Sequence, residues 1–177
     1  MGRPNMGKFL QSLSADEASR VLTILLDKNP DLVKKAYDIA KQVASKVNPD
    51  DIMNDVFSEL DSLDYDDLSG RSGRTRHGYV AAHDAAWELF EERLDPFIDE
   101  MKKNQKRGLP VAAKNYCIGI IKGLRYYEQE SLSELADWLT DAPGEYIHTV
   151  VKEWKKGNPS DEDIAEIMSV VEGDYDD

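Results

Sequence analysis

The side chains best able to do chemistry in this sequence lie between residues 64 and 79. Arg71, Arg74, Arg76 and His77 are interleaved there with Gly70, Gly73 and Gly78. Guanidiniums on a glycine-rich backbone suit a phosphate, a carboxylate or an acidic peptide. Each arginine presents a planar fork of donors, and glycines let backbone amides turn toward the same oxyanion. The same residues have a local use. Asp64, Asp66 and Asp67 stand just upstream, and pairing with them or with acidic helix faces would simply hold the crossover in place. Ser72 and Thr75 are basic-flanked hydroxyls that a phosphate could modify, a pattern too common to weigh much.

Catalytic and metal templates fail on this segment at named positions. Asp64-x-Asp66-Asp67 resembles the start of an EF-hand loop, but Ser69 and Thr75 occupy the positions that require glycine and a bidentate glutamate. His77 and His83, with Asp84 and Glu88 nearby, lack the spacing of a zinc site, and His148 stands alone. Gly70-Arg71-Ser72-Gly73-Arg74 departs from the Gly-x-Ser-x-Gly elbow at residue 74, and no Gly-Lys-Ser/Thr loop occurs. Cys117, the single cysteine, sits among Tyr116, Ile118 and Ile120 and reads as a small buried hydrophobe. No catalytic residue, metal ligand or cofactor is assigned, and the chain is read as a non-enzyme.

The elements that must position this loop are helices. Ser14 opens a capping box with Glu17, and Val21, Leu22, Leu25 and Leu26 give the following turns an apolar face. Val33, Ala36, Ala40, Val43 and Val47 form the stripe of a second helix started by Pro30, and Asn48-Pro49 opens a third along Ile52, Val56, Leu60 and Leu63. Beyond the loop, 82–107 reads as one long helix kinked by Pro96, the alternative being a split with Asp95 as a new cap. Further helices are expected from Pro110 to about Tyr127, Ser133 to Leu139, Pro143 to Lys156 and Asp161 to Val171, with Gly108, Gly157 and Gly173 as stops. Acids gather at helix starts and bases at helix ends, as the macrodipole favours, and that accounts for the basic clusters at 102–107 and 152–156.

Asn29-Pro30-Asp31, Asn48-Pro49-Asp50 and Asn158-Pro159-Ser160-Asp161 repeat one device, a helix end, a proline turn and an acidic helix start. At this level residues 14–172 resemble the α-solenoid class of HEAT-like and TPR-like proteins, although the turns keep no fixed period and the TPR pattern is met only by Ala86-x-x-x-Phe90. The resemblance implies stacked antiparallel helix pairs with a groove for a partner.

The expected fold class is all-α, about eight helices in stacked antiparallel hairpins, α-solenoid-like or an irregular helical bundle. Residues 1–13 are expected as a flexible N-terminus, 14–172 as a single helical domain with an irregular loop at 64–79, and 173–177 as an acidic tail. A hydrophobic content of 41% over 177 residues supports a real core. With no long apolar run and a net charge of −13, neither a membrane nor a nucleic acid is expected as partner, and the expected location is the cytoplasm. The expected function is a protein–protein interaction or scaffold module, with Tyr79, Trp138 and Trp154 as partner contacts. The alternative is an anion- or acidic-peptide-binding regulatory module using 70–78. No motif specifies an oligomeric state.

Overall fold

The computed structural model describes residues 6–75 and 78–173. The fold is all-α. Among the described residues there are eight α-helices: α1 (Met6–Gln11), α2 (Ala15–Lys28), α3 (Leu32–Ala44), α4 (Pro49–Asp61), α5 (Ala82–Lys106), α6 (Pro110–Glu130), α7 (Ala142–Lys155) and α8 (Asp161–Glu172). A two-stranded antiparallel hairpin, β1 (Gly73–Thr75) and β2 (Gly78–Val80), pairs Gly73 with Val80 and Arg74 with Tyr79. No helix among these residues is long and apolar enough to cross a membrane.

The chain groups into two compact units, 1–43 and 44–177, where the sequence reading drew one domain over 14–172. The first unit holds α1, α2 and nearly all of α3. The segment read as a flexible N-terminus contributes α1 over Met6–Gln11. The Ser14 hydroxyl accepts from the Glu17 amide at 3.3 Å while the Ser14 amide donates to Glu17 Oε2 at 2.9 Å, so the expected capping box starts α2. Asn29 closes α2 by donating from its side chain to the Leu25 carbonyl at 2.8 Å. Pro30 and Asp31 form a turn, and α3 begins two residues later than proline placement implied, at Leu32. No side chain of α1, α2 or α3 is buried.

The second unit is built round α6, which packs against α4, α5, α7 and α8. Its buried residues include Cys117, Ile120, Ile121 and Leu124, and they meet Val56 and Leu60 of α4, Phe90, Leu94 and Met101 of α5, Ile147 and Trp154 of α7 and Ile167 of α8 in one cluster. Asn48 caps α4, its side chain accepting from the Asp50 amide at 3.2 Å, with Pro49 in the first turn. α5 runs unbroken through Pro96, so the split at Asp95 does not occur.

Three local expectations change. The helix expected over 133–139 is only a 3-10 turn at Ala136–Trp138. α6 extends three residues past Tyr127, to Glu130. Beyond α7 the residue in the left-handed region is Asn158, with φ 52°, and Gly157 does not adopt it. Gly157 instead lies against the end of the Gln105 side chain, whose Nε2 would be 2.7 Å from a Cβ there.

Candidate functional site

The loop at 64–79 is tied down at its acidic end. Asp64 and Asp67 cap each other, the Asp67 amide donating to Asp64 Oδ1 at 3.1 Å and the Asp64 amide to Asp67 Oδ2 at 3.3 Å. A 3-10 turn at Asp66–Leu68 follows, with Leu68 buried. Tyr65 packs edge-on against Trp138 at 5.3 Å between ring centroids, and its amide donates to Glu134 Oε2 at 3.3 Å. The loop is therefore sewn to the segment after α6.

Arg71 donates to Glu92 of α5 at 2.8 Å. That hydrogen bond raises the guanidinium further above its ordinary value and holds the Glu92 carboxylate below its own. Arg71 is thus committed to a carboxylate of its own chain. Arg93 beside it reaches Glu59 at 3.1 Å and Asp67 at 3.8 Å. Arg74 lies in β1 opposite Tyr79 of β2, while Arg76 and His77 lie outside the described residues. Tyr79 is 80% exposed. His83 accepts from Trp87 Nε1 at 3.2 Å within the first turns of α5. Among the described residues no group of three His, Cys, Asp or Glu side chains could hold a metal ion.

A second concave feature lies where α5 ends, α6 starts and α7 turns into α8. A cavity of about 450 Å³ is lined by Gln105, Pro110, Trp154, Asn158, Ser160 and Asp163, among others. Gln105 Nε2 donates to the Trp154 carbonyl at 2.6 Å. Ser160 caps α8, accepting from the Asp163 amide at 3.1 Å. Lys114 of α6 donates to Asp163 at 2.7 Å and to Glu166 at 2.7 Å. The Asp163 hydrogen bond is the main cause of a raised Lys114 ammonium, and Lys114 in turn is the main cause of a lowered Asp163 carboxylate. Gln105, Ser160 and Asp163 of this lining are thus held in hydrogen bonds within the chain. Trp154, expected as a partner contact, is buried in the core beneath it, because its position on α7 places the ring toward α5 and α6. Trp138 is half-buried against Tyr65. The structure does not bring Tyr79, Trp138 and Trp154 to one surface.

The surface that stands out lies on the apolar faces of α2 and α3. Val21, Leu22 and Leu25 of α2 are 44–49% exposed, and Val33, Tyr37 and Val43 of α3 are 49–65% exposed. They fall on one stripe of each helix, at the spacing expected of a buried face. The amphipathic pattern was legible; its exposure was not, because periodicity marks the apolar side without naming what covers it. Apolar helix faces left exposed in this way are candidates for contact sites. Compared with protein-family models, curated proteins and solved structures, the chain matches none.

Proposed function

We propose that this chain is a non-enzymatic protein–protein interaction module whose contact surface is the apolar face of α2 and α3. The observation that carries the reading is the exposure of Val21, Leu22, Leu25, Val33, Tyr37 and Val43 on two regular amphipathic helices. Each side chain would be covered in a complex and gain about 25 cal/mol for every Å² removed from water. The anion-binding alternative is weakened at Arg71, whose Nη1 donates to Glu92. A cytoplasmic setting fits the single cysteine, which is free and buried. The net charge of −13 disfavours nucleic acid as partner.

The test is affinity capture with mass spectrometry, comparing wild type with a Val21→Glu/Leu25→Glu/Val33→Glu variant. Far-UV circular dichroism confirms that the helices persist. Loss of specific partners in the variant is expected; identical partner lists would overturn the reading.

A further inference from the structure

We infer that residues 1–43 are a homodimerisation element in which α2 of one copy packs its apolar face against α3 of a second copy of this chain. The inference rests on the interaction reading above and names the occupant of that same face.

The first support is size. A chain near 40 residues usually needs a disulfide, a metal or association to hold a fold. Residues 1–43 contain neither cysteine nor histidine, and their carboxylates form no metal-holding group among the described residues. Association is a further route, and α1, α2 and α3 bury no side chain in the single chain.

The second is area. The six side chains named above leave about 600 Å² of surface uncovered per copy, so a pair would cover about 1,200 Å², the lower edge of the range for specific interfaces.

The third is charge. Residues 1–43 hold seven bases and five acids, a net charge of +2, whereas 44–177 hold fifteen bases and thirty acids, a net charge of −15. The near-neutral unit is the part of the chain that two copies can bring together with least repulsion. Within it α2 carries three acids and two bases, and α3 three lysines and one acid. Pairing α2 with the other copy's α3 therefore sets opposite net charges side by side, and a two-fold axis makes that contact twice. An anionic membrane, the other surface that amphipathic helices coat, is disfavoured by Asp16, Asp27 and Asp38 on these helices and by the acidic remainder.

The test is sedimentation equilibrium of the full chain over a concentration series at physiological salt. The mass is expected to rise from 20.0 kDa toward twice that value in the micromolar range. Leu22→Glu and Val43→Glu, each on one of the two faces, are expected to weaken association by about tenfold or more. Hydrogen exchange of wild type gives a readout free of mutation: amides of 18–44 should slow as concentration rises. A mass fixed at the monomer value, or a dimer indifferent to both variants, would overturn the proposal. So would binding of monomeric protein to phosphatidylcholine–phosphatidylserine vesicles that Leu22→Glu abolishes. If wild type stays monomeric yet loses captured partners in the triple variant, the dimer is wrong and the interaction reading stands; if neither assay responds, both fall.

Discussion

Gly123 of α6 and Val56 of α4 are so close that a Cβ on the glycine would lie 2.7 Å from the Val56 Cβ. One turn earlier the same relation holds between Gly119 and Ile52, at 2.5 Å, with the Pro49 carbonyl at 2.7 Å. The two glycines form a groove along α6 into which α4 is seated backbone-close. In an open helix, alanine for glycine would stabilise by about 1 kcal/mol. Here the added methyl meets a branched side chain and backbone that cannot swing aside, and overpacking costs about 1–3 kcal/mol. Gly123→Ala and Gly119→Ala are therefore expected to lower the thermal midpoint by several degrees. Gly144→Ala in α7, where nothing lies within 4 Å, should leave it unchanged or raise it. Thermal melts of the three variants decide the matter, and three equal shifts would refute the groove.

Asp61 closes the second unit at the other end of α4. Its Oδ1 accepts from the Ser131 hydroxyl at 2.8 Å, the Leu132 amide at 2.7 Å and the Ser133 amide at 3.1 Å, while the Ser133 hydroxyl donates to the Leu63 carbonyl at 2.6 Å. One carboxylate thus anchors the chain as it leaves α6. Asp61→Ala would leave these donors without their charged acceptor, and a loss of about 2–3 kcal/mol is expected. Asp61→Asn, which keeps one oxygen, should lose less. Urea unfolding measures the size of the effect, and faster exchange of the 132 and 133 amides locates it.

What could be read in advance follows the range of the interaction. Ser14 with Glu17 and Asn48 with Pro49 act within four residues, so their caps are visible in the sequence and stand in the structure. Gly70 and Gly73 adopt positive φ, as glycines in a turn-rich stretch should. The pairing of Gly73 with Val80 is a further choice that three-residue strands with no apolar alternation do not announce. Arg71 and Glu92 are 21 residues apart and meet only because the 3-10 turn at Asp66–Leu68 lays the loop along α5. Gly119 and Gly123 sit within an apolar helical pattern, where small residues four apart were the available signal for close helix packing, but their partner helix is fixed only by the fold. The stripes of α2 and α3 show the limit from the other side, since both are regular and both stay exposed.

Lys114 makes α8 sensitive to pH in two directions. Asp163 is held below its ordinary carboxylate value, chiefly by the Lys114 hydrogen bond and then by Ser160. Its contribution to stability is complete above about pH 4 and is lost as pH falls from there through the lowered folded value. Lys114 is held above its ordinary value by Asp163 and Glu166, so its contribution is complete below about pH 10 and lost as pH rises through the raised value. The lysine is mostly covered, but Glu166 is half exposed, so solvent screening keeps the network to about 1 kcal/mol or less. The urea midpoint of wild type should exceed that of Lys114→Met near pH 6, and the gap should close toward pH 3. A gap independent of pH would mean that the lysine acts through packing of its methylenes alone.

Cys117 tests whether the interior of the second unit opens. Its side chain is fully buried at the centre of α6, and burial alone pushes the thiol far above its ordinary range, so the thiolate that reacts with electrophiles is not formed in the folded state. A maleimide should leave the native protein unlabelled over hours and label it fully in denaturant. In intermediate urea the labelling rate should follow the fraction unfolded. Cys117→Ser separates packing from reactivity, because a hydroxyl at this position enters an apolar cluster of Val56, Phe90 and Ile121, and burial of an unsatisfied hydroxyl costs about 1–3 kcal/mol. Cys117→Ala leaves a small void and should cost less. Rapid labelling of the native protein, with Cys117→Ser as stable as wild type, would mean that the thiol faces solvent through a motion of α6, and that the cluster round it is not the rigid centre of the unit.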